Sequence, residues 1–224
     1  MHAFSRLLKT DLRNRRNTLL IAIGMLVLLN AALALLPFLE IFNGMRLDFV
    51  MTLNIAVFCS ALLIPLTHCF STWREEWKQR SIYLLLSLPV PRTHLLLSKC
   101  VTVILEALIL TGVMAAGLSL QNGLHDGLLF RAEPLVTMTW AKAWFILRLL
   151  LAGLCLVSLC FFSSLLGKCF RRSALFVTFL VFVAGLLVTI VAMANLPPSL
   201  VFVIFGLGYF IGSTYLLEKK AGVE

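Results

Sequence analysis

The stretch Leu84–Lys99 reads LLLSLPVPRTHLLLSK. It is apolar enough to enter a membrane, yet Pro89 and Pro91 interrupt it, and Arg92, His94 and Lys99 follow. A double proline inside lipid would leave backbone groups without hydrogen-bond partners, and no water is present there to replace them. The residue before each proline is also pushed towards extended geometry. The stretch therefore reads as the end of one helix at Leu84–Leu88, a rigid elbow at Pro89–Pro91, and a new helix capped by Thr93. It belongs at a membrane surface and does not cross.

The rest of the chain agrees with that setting. Its 224 residues are 61% hydrophobic and 13% charged, with mean hydropathy +1.01. Soluble domains are usually about 45–50% apolar and about 25% charged, so a soluble fold of this size is excluded. A net charge of +9 would suggest nucleic acid in a soluble protein. No basic run here carries the interleaved aromatics of a nucleic-acid face, and no nucleic-acid partner is expected. The six cysteines form no CxxC pair, and none clusters with histidine at metal-ligand spacing. They read as small buried hydrophobes.

A transmembrane helix needs about 20 mostly apolar residues. Six segments qualify: Thr18–Leu39, Phe49–Phe70, Lys99–Leu120, Ala143–Leu166, Ala174–Met193 and Leu200–Leu217. In the last, Gly206 and Gly208 suit close helix packing. The first is longer than a signal-peptide core and reads as a retained helix. Fifteen Lys and Arg flank these segments on one side and four lie on the other. By the positive-inside rule both termini face the cytoplasm, which an even number of spans requires. No internal repeat and no soluble domain is visible.

The expected fold class is an all-α integral membrane protein, a single transmembrane domain over 1–224 that includes three further segments. Residues 1–17 form an N-terminal interfacial helix, with Phe4, Leu7, Leu8 and Leu12 on one face and Arg6, Lys9, Arg13 and Arg16 on others, next to membrane lipids. Residues 71–98 form a cytoplasmic segment ending in the proline elbow. Trp73 and Trp77 stand four apart, suited to the interface. Glu75 and Glu76 precede Lys78 and Arg80, the order the helix dipole prefers. Residues 121–142 form an outer amphipathic segment, with Trp140 and Trp144 leading into the fourth span.

Few polar residues fall inside the spans. Glu106 lies about two turns inside the third, where an ionisable group is a functional candidate or the partner of a cation near the interface. Arg148 can snorkel to the outer surface. Asn30, Asn54, His68 and Thr111 are candidates for hydrogen bonds between helices. No GxxxxGK[ST] loop, HExxH or GxSxG is present, so the chain carries no enzyme signature and no nucleotide-binding loop.

The segment around the elbow resembles one found between spans two and three of ABC-2-type transporter permeases, E-x-x-x-G-[ST]-x-x-x-L-L-[ST]-x-P-[VI]-x-R-x-x-[IVL]-[IVL]-x-x-K. Glu76, Ser81, Leu85, Leu86, Ser87, Pro89, Val90, Arg92, Leu95, Leu96 and Lys99 fall in place. Arg80 stands where the family commonly has glycine. The resemblance implies an exporter permease in a bacterial plasma membrane, working as a homo- or heterodimer with a separate ABC ATPase subunit that holds ATP and Mg. It implies that Trp73, Glu75, Glu76, Trp77, Arg80, Ser81, Pro89, Pro91 and Arg92 belong to a coupling helix docking on that ATPase. No cofactor, metal or catalytic residue is then expected in this chain. The competing readings are a six-span substrate-binding subunit of an importer, and a non-transporting anchor for a cytoplasmic partner. The apolar outer halves of the spans disfavour the first, and the elbow pattern disfavours the second.

Overall fold

The structure is a computed structural model that describes residues 2–35, 47–78, 92–124, 140–170 and 173–219. Among the described residues there are six helices: α1 (His2–Leu35), α2 (Leu47–Lys78), α3 (Arg92–Leu124), α4 (Trp140–Lys168), α5 (Ala174–Asn195) and α6 (Pro198–Lys219). All six are long and apolar enough to cross a membrane. No strand occurs among the described residues. The expected six-span, all-helical fold class is therefore observed.

The helices overrun the expected spans. With 29 to 34 residues each, α1–α4 extend for roughly 44–51 Å, beyond a hydrocarbon core of about 30 Å. The break expected after residue 17 does not occur, and the proposed interfacial helix is the first part of one continuous α1. Residues 13–18 contain neither Pro nor Gly, so nothing stops a helix already nucleated on both sides. The amphipathic spacing is nonetheless realised. Leu7, Leu8 and Leu12 are half-buried while Arg6, Lys9, Arg13 and Arg16 are exposed.

In the same way α2 continues unbroken through Trp73, Glu75, Glu76 and Trp77 to Lys78. Arg80, Ser81, Pro89 and Pro91 lie outside the described residues. α3 opens at Arg92, directly after Pro91 and one residue before the expected cap at Thr93. Of the outer segment, Gln121–Leu124 belongs to α3 and Trp140 opens α4, where it meets Trp144 edge-on at 6.5 Å. Residues 125–139 lie outside the described residues.

The chain divides into two compact units. The first holds Asp11–Pro65 and Leu105–Met138, and so takes in most of α1, the first part of α2 and the second part of α3. The second holds Met1–Thr10, Leu66–Ile104 and Thr139–Glu224, with all of α4, α5 and α6. In the second unit α4 is the packing centre, against both α5 and α6. Phe161 of α4 is fully buried, in a cluster with Cys69, Leu95, Leu96, Cys100, Cys160 and Leu217. Phe70 meets Phe182 of α5 edge-on at 5.5 Å. All three of these cysteines act as the small buried hydrophobes the sequence suggests.

Two local features place α6. Leu196 is extended at φ −128° and ψ 156°, as a residue before proline must be, and its N–H still donates to the Ala192 carbonyl. Pro198 then opens α6 at the first helical position, where the missing N–H costs nothing, and the Pro197 carbonyl accepts from Leu200 and Val201. Further along, α6 lies so close to α4 that a Cβ at Gly212 would sit 2.8 Å from the Phe162 ring. Gly206 faces Cys155 at an ordinary distance, whereas Gly208 has nothing within 4 Å. Of the two glycines expected to mediate packing, only Gly206 does, and Gly212 joins it.

Gly212→Leu is expected to lower the thermal midpoint of the purified protein, because overpacking costs about 1–3 kcal/mol. Gly208→Leu should leave it unchanged. Equal midpoints for the two variants would contradict this α4–α6 contact.

Candidate functional site

The first unit contains buried polar side chains that bond across helices. Glu106 of α3 is only 1% exposed, and its carboxylate lies 3.3 Å from the Arg15 guanidinium of α1, itself 13% exposed. Arg15 donates to that carboxylate. The acid expected to act in transport or to pair with a cation thus has its cation. The cation is one of the residues counted as a flanking charge, now drawn into a helix contact. Lys99, counted in the same way, is also buried, at 2%. Removing one partner from a buried ion pair costs about 3–5 kcal/mol in general, since the other charge is left in a low-dielectric setting.

A second polar contact joins three helices. Gln121 of α3 donates through Nε2 to the Asn30 carbonyl at 3.3 Å, to Asn30 Oδ1 at 3.1 Å and to Asn54 Oδ1 at 3.3 Å. Asn54 of α2 donates back to Gln121 Oε1 at 2.9 Å and to the Val50 carbonyl at 3.0 Å. Asn30 of α1 donates to the Leu26 carbonyl at 2.9 Å and to Met114 Sδ at 3.5 Å. Every amide N–H of the three side chains therefore has an acceptor. A cluster closed in this way fixes helices and offers no free donor to a passing solute.

The two contacts share one register. Arg15 meets Glu106 and Asn30 meets Gln121, each across a sequence separation of 91. α1 and α3 consequently run parallel. The contacts are fifteen residues apart on each helix, about 22 Å along the axis. α2 runs the other way: while Asn54 meets Gln121, Ala61 packs with Leu26 and Met114. Gly117 makes the approach possible, since a Cβ there would collide with the Asn30 side-chain amide.

Asn30 and Asn54 were legible as interhelical polar residues. Thr111 instead donates to the Ala107 carbonyl of its own helix at 2.8 Å. Gln121 was missed because the third span was expected to end at Leu120. Its amide, one residue beyond an apolar run that starts with Glu106 already on board, was the available signal. Pro65 is a second residue that the apolar run conceals. It lies inside α2 and removes the hydrogen bond that the Ala61 carbonyl would otherwise accept. Arg148 is exposed on α4, in keeping with snorkelling. No group of His, Cys, Asp or Glu with metal-binding geometry occurs among the described residues.

Six apolar helices, with Asn30, Asn54, Glu106 and Gln121 joined between helices, define a multi-pass membrane protein. Residues 6–217 match the family described as ABC-2 family transporter protein, and the chain belongs to that family. It is a membrane permease component of an ABC transporter. Comparison with curated proteins and with solved structures gives no match.

The clamp at Gln121 predicts coupled energetics. Gln121→Leu should destabilise the purified protein by roughly 1–3 kcal/mol, the cost of buried polar groups left unsatisfied. Asn54→Leu combined with Gln121→Leu should cost less than the two changes summed. Strict additivity in that double-mutant cycle would remove the contact.

Proposed function

We propose that the chain is the permease subunit of an ATP-driven exporter, paired with a separate ABC ATPase and with a second permease protomer. ATP and Mg belong to the ATPase, and this chain hydrolyses nothing. Both termini face the cytoplasm of a bacterial cell, and the protein resides in its plasma membrane. The substrate is amphipathic, a peptide or a lipid-like molecule.

One observation carries the coupling role. α2 runs unbroken to Lys78 and α3 restarts at Arg92, directly after Pro91, so only thirteen residues separate two long helices. A load applied to that connection enters the first turn of α3 with no flexible Gly/Ser spacer in between. Trp73, Glu75, Glu76, Trp77, Arg80, Ser81, Pro89, Pro91 and Arg92 are the residues assigned to ATPase docking. The substrate class rests on the scarcity of polar groups: the amide cluster is closed on itself, and an importer of a polar solute needs several convergent groups left open.

The permease should co-purify from detergent with the ATPase encoded beside its gene. Pro89→Ala together with Pro91→Ala should keep that complex and its ATP hydrolysis. Transport should fall roughly tenfold, the size of a coupling free energy of about 1.4 kcal/mol. A chain that binds no ATPase, or a double variant that transports normally, would sink this reading.

A further inference from the structure

A load entering α3 at Arg92 meets Glu106 fourteen residues on, about 21 Å along the helix. Apolar helix faces resist sliding weakly, because their contacts are non-directional. A buried ion pair and a closed amide cluster resist it strongly, because every displacement breaks specific bonds. One such contact would still allow α3 to pivot on α1. Two contacts about 22 Å apart, in the same register, suppress both sliding and pivoting.

α1 and α3 therefore have the features of a strut. α2 meets α3 at Asn54 through Gln121, and Pro65 removes a backbone hydrogen bond eleven residues further along α2.

From this geometry we infer that Arg15 and Glu106 are positioning residues for transport, the first of two pins that make α1 move with α3 when the elbow is loaded. The pair acts through the helices and not by touching the substrate. The inference rests on the permease reading for its input, while the pinning itself is a property of this chain alone.

The test has two arms. In the permease alone, nitroxide labels on lipid-exposed Leu20 of α1 and Ile109 of α3 report the pinning by pulsed dipolar spectroscopy. Wild type should give one narrow distance and Glu106→Gln a broadened one. In the reconstituted complex, Glu106→Gln and Arg15→Gln should keep ATP hydrolysis near wild type while transport drops about tenfold. Arg15→Lys, which keeps the charge, should retain most transport, and the exchanged pair Arg15→Glu with Glu106→Arg should recover it.

An unchanged distance distribution in Glu106→Gln overturns the pin. So does a loss of transport that merely tracks a loss of folded protein or of ATP hydrolysis. A wild-type protein that shows the narrow distance but couples to no ATPase leaves the pin standing and sinks the permease reading instead.

Discussion

A carboxylate inside an apolar helix has to be answered by a cation, and the answer Glu106 receives from Arg15 sets the arrangement of the first unit. Because the two charges lie 91 residues apart, their meeting fixes the axial offset of α3 against α1. The same offset then delivers Gln121 to Asn30 fifteen residues later, where Asn54 completes the amide cluster. Gly117 is the concession on α3 that lets the Asn30 amide in. Hydrophobic matching alone would tolerate many registers between two such helices, since lipid tails are as apolar as leucine.

The second unit is organised by the opposite chemistry. Its centre is Phe161, with leucine, valine and cysteine around it, and shape does the discriminating work. Hydrogen bonds there are mostly local, such as Thr178 to Ala174 and Ser213 to Tyr209. Tyr209 ties α5 to α6, donating to the Gly185 carbonyl at 3.1 Å and lying 3.2 Å from the Thr189 hydroxyl. α5 otherwise buries only Thr189 and turns Phe176, Phe179, Leu187 and Val191 outward. Such a helix is held by few contacts and suits a lipid-facing position.

Much of this was legible because the membrane imposes a coarse rule. Apolar runs of about 20 residues located all six helices, and the prolines before Arg92 located the start of α3. Helix ends were less legible. Hydropathy falls where the bilayer ends, but a helix stops only where the backbone is forced to stop. Thus α1 began at His2, without a break before Thr18, and α2 ran on to Lys78. The site was half legible. Asn30, Asn54 and Glu106 stood out as polar residues in apolar surroundings, whereas Gln121 was hidden by a boundary drawn one residue too early. Arg15 was hidden by its neighbours, since among five basic residues nothing in the sequence marks the one that turns inward.

The distance in sequence between the paired charges also imposes an order on the making of the protein. At about 5–20 residues per second, a ribosome reaches Glu106 roughly 5–18 s after Arg15. An unpaired charge costs about 2.5–3.5 kcal/mol at the centre of an inserting helix. During that interval the Arg15 guanidinium is without this carboxylate, and a long flexible side chain can reach water at a bilayer edge. α3 then inserts beside a counter-charge already waiting for it, so the earlier helix acts as a template for the later one.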